Sequence, residues 1–447
     1  MDFDYCYCMM TELALNNEAA ALENFNDINR PISYNELLVT NLLCGGASYA
    51  QPRPLLATRS SAIRESRVVG IATSTPRLVG PVTLPPRAAL MENESSCSRY
   101  IPSSPWCILD APGIRNDFYL NVMDWGGNDI IAIGINQLVY LFITTTGKTQ
   151  KITACTDQGS YVTSVAWIES KTMYRRNTHQ LAVGTSQAEL QIWDVETFTK
   201  IRTIYSHQAR IASLSWSSHG ALATGSRDST IHLNDVRCDR HLVGRLKHHR
   251  DEVCGLAWSP DGRTLASGSE DNSLCLWDYA MVRADSFTNI SAPRSCYLDH
   301  RAAVRALAWS PSKRNLLVSG GGTADSTIKI WSTSNDRLIR SVFTGSQVCG
   351  VAWSTTTQEL VSAHGHCSEK NQLTLWKYPT MKCIRELTGH TARVLHLAIS
   401  PNGFCVASVG ADETLRFWNM FPSSQGSCIT RNAGSEGHFN LSTAIIR

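Results

Sequence analysis

An all-β fold, a closed ring of seven four-stranded sheets, is what this sequence predicts. Three features carry that prediction: an apolar phrase that returns seven times, an aspartate at a fixed distance before a second apolar phrase, and a histidine upstream of that aspartate. The first phrase is "VMDW" at Trp125, "SVAW" at Trp167, "SLSW" at Trp216, "GLAW" at Trp258, "ALAW" at Trp309, "GVAW" at Trp353 and "HLAI" at Ile399, at intervals of 42 to 51 residues. Self-similarity at such a period marks a repeat array. After a Gly- or Ser-containing turn comes the second phrase: "VYLF", "LQIW", "IHLN", "LCLW", "IKIW", "LTLW" and "LRFW", ending at Phe142, Trp193, Asn234, Trp277, Trp331, Trp376 and Trp418. Both phrases are β-branched, alternating and of strand length.

The second phrase obeys a tighter rule. Asp228, Asp271, Asp325 and Asp412 each stand six residues before the closing position (Asn234, Trp277, Trp331, Trp418), and His207, His249, His300 and His390 precede them by 21 to 25 residues. An aspartate in a turn can accept hydrogen bonds from the turn amides and from a buried histidine, with the tryptophan packed on the same group; such a network stiffens one sheet. This is the WD-repeat pattern, and seven such sheets close into a β-propeller. Blades one, two, three and six are irregular, and Asn234 in place of tryptophan predicts looser packing in blade three. The last blade ends at Trp418-Asn419 one strand short. Residues 105–112, "PWCILDAP", are expected to supply that strand, tying blade seven to blade one and bringing the two ends of the array side by side.

The totals fit a large soluble repeat domain. Of 447 residues 43% are hydrophobic, and 41 basic residues balance 38 acidic ones, so neither a nucleic-acid surface nor a membrane is expected. The fifteen cysteines are scattered, Cys155, Cys238, Cys254, Cys275, Cys349, Cys383 and Cys405 singly, with no C-x-x-C pair; this spacing predicts reduced intracellular thiols and no zinc. No basic and apolar leader begins the chain. Residues 130–147 are uncharged and long enough to cross a bilayer, but "GINQ" in their middle predicts two short strands around a turn. "HGHC" at 364–367 lacks further ligands at useful spacing, and no nucleophile–base set converges, so no metal, no cofactor and no catalysis are expected.

Three regions follow: 1–98 outside the ring, the propeller over 99–420, and a flexible tail over 421–447. Residues 1–30 carry six acids against Arg30, and residues 51–90 carry six arginines and six prolines against Glu65; neither has a core-forming pattern, and both are predicted disordered. "SYNELLVTNLL", residues 33–43, gathers Leu37, Leu38, Leu42 and Leu43 near one helical face and is too short to fold alone, which suits a partner's groove. Thr75-Pro76 and Ser104-Pro105 read either as proline-directed phosphosites or as loop prolines, and Arg53-Pro54-Leu55-Leu56 matches Arg-x-x-Leu.

"IPSSPWCILDAPGIRNDFYLNVMDW" (residues 101–125), "SRDSTIHLNDVR", "HRDEVCGLAWSPDGRTLASGSEDN", "VSGGGTADSTIKIW", "NQLTLWKYPT" and "GHTARVLHLAISPNG" together resemble the Fizzy family of substrate-recruiting activators of the anaphase-promoting complex. "KYPT" and "DAPGIRNDFYLN" are not general propeller features, and the terminal Ile446-Arg447 is similar to the family's tail signature. The poorer match elsewhere resembles a diverged branch, the insect Cortex-like germline type. The resemblance implies a non-catalytic adaptor, monomeric outside the complex and acting in cytoplasm and nucleus. Its partners would be ligase subunits and degron-bearing substrates such as cyclins and securin-like proteins, cell-cycle and meiotic targets for ubiquitination. The alternative is a diverged scaffold or inhibitor that binds partners without stimulating the ligase.

The resemblance also implies sites. The Ile446-Arg447 end would dock on a helical-repeat subunit, isoleucine in an apolar slot and guanidinium on opposite charge. The family's N-terminal box, Asp-Arg-Phe/Tyr-Ile-Pro-x-Arg, has its counterpart in "NRPISYN", residues 29–35, which keeps Arg30 and Ile32 but loses the leading acid, the proline position and the last arginine. Asp117 and Glu413 match a destruction-box receptor on the rim between blades one and seven, two acids for the arginine of Arg-x-x-Leu. Asp124, Asn272, Thr323, Gln347 and Arg393 match a top-face receptor for Lys-Glu-Asn, with Asp124 for the lysine and Arg393 for the glutamate; Glu270 stands where relatives have Asn.

Overall fold

The structure is a computed structural model that describes residues 99–421, apart from 169–178, 281–288, 291 and 367–369. The described strands form seven sheets arranged as successive blades; six are antiparallel throughout, and in the blade that begins at Ile211 the two-residue strand Asn289–Ile290 adds a parallel edge beside Leu242–Lys247. Blade one comprises Met123–Trp125, Ile130–Ile135, Leu138–Ile143 and Lys148–Thr153. The uncharged stretch 130–147 is therefore a hairpin, turned at Asn136 in the left-handed region (φ 51°). Inner strands are buried along their length, as in Val162–Trp167, whereas outer strands such as Arg337–Phe343 alternate toward solvent and carry the basic residues that suit a sheet edge. Cores form between blades: Val139 and Leu141 of blade one pack with Val165, Leu181 and Val183 of blade two.

The ring closes as the sequence predicts. Cys107–Asp110 is the outer strand of blade seven, antiparallel to Thr414–Asn419, with Cys107 opposite Phe417 and Asp110 opposite Thr414. Leu109 turns inward and is buried, and the Trp106 ring lies 5.6 Å from that of Phe417.

Six of the seven blades share a bulge near the start of the inner strand, at 162/164, 211/213, 253/255, 304/306, 348/350 and 394/396. Bulges re-aim backbone groups, and here several carbonyls of the bulged residues meet donors from other blades. Asn121 donates through Nδ2 to Ala212 O and Cys254 O, both at 2.8 Å. Arg305, itself at the bulge of blade five, reaches Cys349 O (2.5 Å), Leu395 O (2.7 Å) and Leu120 O (2.6 Å). Burial lowers this guanidinium to about 10, so it stays charged at neutral pH.

The Asp–His–Trp reading gains a fourth member, a strand hydroxyl. His249 Nδ1 meets Asp271 at 3.3 Å while its Nε2 meets Ser267 Oγ at 2.7 Å, and Trp277 Nε1 donates to the same hydroxyl at 2.9 Å. Blades five and seven repeat this through His300, Asp325, Ser319 and Trp331 and through His390, Asp412, Ser408 and Trp418. Blade six has no such loop histidine; His364 lies in the strand Glu359–Gly365, bonds Ser362 at 2.6 Å, and Trp376 donates to that hydroxyl at 2.7 Å. His364 of "HGHC" is thus a buried structural residue, His366 beyond it is half-buried, and Cys367 lies outside the described residues. Blade three keeps the tetrad histidine but not its tryptophan, and leaves Asn234 Oδ1 and His232 Nδ1 buried without a partner. Asn234 is fully buried, its amide 3.4 Å from Thr224 Oγ1, and His232 stacks on His207 with centroids 3.9 Å apart.

These turns make stability depend on acid pH. Burial alone would raise the aspartates, but bonds from histidine, hydroxyl and turn amides outweigh it, holding Asp412 at about 2 and lowering Asp228, Asp271 and Asp325 as well. A depressed folded-state value contributes stability above the unfolded value near ~3.9 and loses it as pH falls toward the folded one. Urea midpoints should therefore be insensitive to these groups above about pH 5 and fall between about pH 4 and 2. Asp412→Asn should remove about 2 kcal/mol of stability near neutral pH, together with its share of the acid-dependent loss, measured by denaturation at stepped pH.

Candidate functional site on the rim and top face

Residues between the closing strand and blade one form a strap across one end of the channel. Gly113 N donates to Glu413 Oε1 of blade seven at 3.1 Å. Asn116 receives Arg393, through Nη2 to its carbonyl at 2.9 Å and through Nε to its side chain. Asp117 accepts from Arg210 of blade three at 2.7 Å, and Tyr119 Oη donates to Glu270 of blade four at 3.2 Å. Phe118 and Tyr119 are buried and pack with Cys254, Ala303 and Cys349 at the channel mouth. The segment's polar side chains thus pin it to the rim while its aromatics plug the centre.

The tight turn after each tetrad aspartate ends in a left-handed residue: Ser229 (φ 64°), Asn272 (φ 67°), Ser326 (φ 48°) and Glu413 (φ 57°). A type I turn followed by a left-handed residue is a common hairpin loop, and it gives Asn272 and Glu413 equivalent places on the same face of blades four and seven. Asparagine tolerates this conformation; glutamate does so at a cost.

Two of the acids expected at the sites belong elsewhere. Asp117 is directed to Arg210, which also holds Glu252 bidentately at 2.7 and 2.8 Å. The acid that ring closure sets against Glu413 is Asp110: it pairs in register with Thr414, Ala111 N donates to Glu413 O at 2.7 Å, and both Asp110 and Glu413 are exposed. Asp124 leaves the top face altogether. Its carboxylate accepts from Trp125 N at 2.9 Å and Trp167 N at 2.8 Å, at the C-terminal ends of inner strands, whereas Gln347 and Arg393 stand at the N-terminal starts of theirs. The acid beside Glu413 is thus Asp110 and the acid on the strap beside Arg210 is Asp117, each seven residues N-terminal of the one expected there. Spacing along a loop could not fix this, because the strap's path over the channel decides which acid faces which blade.

The other top-face residues cluster. Arg393 Nη1 lies 3.3 Å from Gln347 Oε1, Glu270 N donates to Glu252 O at 2.9 Å, and Asn272 follows two residues later in the same turn. Thr323 lies in the equivalent turn region of blade five, and its hydroxyl is buried without a protein partner. Glu252, Arg210 and Asn116 were missed by sequence reasoning; the strap's contacts alone identify them. Burial raises Glu252, and the bonds from Arg210 oppose that rise. Arg30, Ile32, the segment 33–43, Thr75-Pro76, Arg53–Leu56, Ile446 and Arg447 lie outside the described residues.

A family profile described as the CDC20/Fizzy WD40 domain matches residues 109–418. The Dictyostelium discoideum "Anaphase-promoting complex subunit cdc20" is 46% identical over 323 residues, covering 72% of this chain and 62% of that protein. The "Anaphase-promoting complex subunit cdh1" of the same organism is 42% identical over 369 residues, covering 77% and 48%. "B-type cell cycle switch protein ccs52A" of Medicago truncatula is 43% identical over 352 residues, covering 78% and 69%. This chain thus spans about half to two thirds of the length of the Dictyostelium relatives. A chain in the crystal structure of the mitotic checkpoint complex is similar with a TM-score of 0.66 and 35% identity, covering 80% of this chain and 99% of that one.

Proposed function

This chain belongs to the CDC20/Fizzy family, and from that premise we propose that it is a non-catalytic substrate adaptor of the anaphase-promoting complex, reading degrons on the rim and top face of its propeller. The observation that carries the reading is the convergence of Asp110 and Glu413, 303 positions apart, at one exposed place on the rim. Two carboxylates around one guanidinium make a selective charge-assisted site. The closing strand also turns Ile108 outward, 49% exposed, and the adjoining Trp106 is 55% exposed. An Arg-x-x-Leu segment would set its arginine on the two acids and its leucine on this apolar surface.

On the top face, Asp117, Glu252 and Glu270 offer negative charge for the lysine of a Lys-Glu-Asn motif, and Arg393 with Gln347 suits its acid and amide. Because Arg210 and Asn116 already engage Asp117 and Arg393, the motif would compete with the chain's own bonds, and Glu270 adds an acid against the motif's glutamate. Recognition there is weaker than at the rim. Ubiquitin transfer takes place on other subunits, in cytoplasm and nucleus, on cell-cycle and meiotic substrates.

The Ile446-Arg447 end and the residues around Arg30 and Ile32 are the two tethers, and their joint effect is one of effective concentration. Affinity purification of the full chain should recover ligase subunits, and removing Ile446 and Arg447 should lower that recovery at least about tenfold if the degraded box leaves the tail most of the work. Unchanged recovery would count against tail docking, and absence of ligase subunits from the full chain would leave a scaffold that acts elsewhere.

A further inference from the structure

The cysteines that look solitary in the sequence are not all solitary in space. Cys275 lies in the strand Leu274–Asp278 and Cys296 in the strand Ser295–Tyr297; the strands are antiparallel neighbours, and the two residues are directly opposite one another. Their sulfurs are 3.4 Å apart, unbonded. His248, on the loop entering blade four, brings a ring nitrogen into the group, so that all three ligand atoms lie within 4.8 Å of one another. Trp277 faces the His248 ring edge-on with centroids 6.4 Å apart, walling one side.

We propose that His248, Cys275 and Cys296 bind one zinc ion, with a fourth position left to water. Two thiolates and an imidazole are ligands that suit a borderline-soft cation, and three protein ligands with one open position is a known zinc arrangement. The charges balance: each thiol gives up a proton to solvent, and two thiolates neutralise the dication with a neutral imidazole as third ligand. A sulfur separation of 3.4 Å needs only a slight opening to place both at about 2.3 Å from one metal in tetrahedral geometry. The site also has structural work to do. The outer strand of blade four holds its neighbour through only three paired residues, Ser295, Cys296 and Tyr297, and the metal would staple that strand and the His248 loop to the blade. The loop continues through His249 into the tetrad and on to Glu252 of the top face, so the staple would steady both.

The test uses the full chain, reduced and freed of metal, titrated with Co2+ alone and then with Zn2+. One equivalent of Co2+ should produce a thiolate-to-cobalt charge-transfer band that Zn2+ then displaces, as zinc binds more tightly. Cys296→Ser and His248→Ala, both at residues not fully buried, should each weaken Co2+ binding by about 100-fold or more, since even changes behind the ligands cost 10–100-fold. Circular dichroism should be unchanged in both. Zn2+ should slow alkylation of Cys296 by iodoacetamide at least about tenfold while the exposed Cys238 and Cys383 react as before. No band, a band that survives both substitutions, unprotected Cys296, or a Cys275–Cys296 disulfide whose reduction yields no Co2+ binding would each overturn the proposal.

Discussion

Reversing the charge of Asp110 and Glu413 together, each to lysine, is expected to abolish binding of an Arg-x-x-Leu peptide while leaving the propeller folded. Hydrogen bonds to charged groups contribute about 1.5–3 kcal/mol each, so losing two predicts at least about 100-fold weaker binding before the new repulsion is added. Both side chains are exposed, and Glu413 gives up one bond, from Gly113 N, so the fold should tolerate the change. Fluorescence anisotropy with a labelled peptide reads the affinity, and a thermal melt reads the fold. Asp117→Lys is the discriminating control. It would place a second cation against Arg210, whose other partner Glu252 is almost fully buried, and should loosen the strap before it touches the rim. If Asp117→Lys removed peptide binding from an intact fold while the Asp110 and Glu413 double variant bound normally, the rim site as described would be wrong.

Trp331→Ala should be the most damaging single substitution in the ring. The side chain is 1% exposed, stacks on Tyr297 with centroids 4.4 Å apart, and donates from Nε1 to Ser319 at 2.8 Å. Truncation removes the most deeply buried tryptophan of blade five and unpicks the network joining Ser319, His300 and Asp325. Cavity formation alone costs about 3–5 kcal/mol for a buried tryptophan, a fall in melting temperature that calorimetry resolves easily. Asn234→Ala in blade three should cost far less, about 1 kcal/mol, because His232 already packs on His207 there and the amide makes only long contacts.

Much of this was legible in the residues. The seven phrases and the fixed offset from Asp271 to Trp277 announce the ring, and the shortfall at Asn419 announces the closing strand from 105–112. The offset is readable because turn and strand geometry repeat from blade to blade. The hydroxyl at Ser267, Ser319 and Ser408 escapes notice because serine is common and its role depends on two partners in other elements. The stacking of His232 on His207 could not be foreseen, since it is a tertiary fact. The acids went astray for the same reason: Asp110, Asp117 and Asp124 recur every seven residues along one segment, and only the strap's three-dimensional course says which one meets Glu413. Cys275 and Cys296 were passed over because a sheet can make neighbours of residues 21 apart.

The seal between Cys107 and Phe417 spans 310 positions, and this sets a timetable for making the protein. The ribosome releases Trp106 and Ile108 early, yet the strand Thr414–Asn419 that receives them emerges about 300 residues later. At about 5–20 residues per second the early segment waits roughly 15 to 60 s as an unpaired, partly apolar ribbon. A chain truncated before Thr414 is therefore expected to keep that ribbon unpaired and to be bound by chaperones or degraded, because the circle is locked by the late strand.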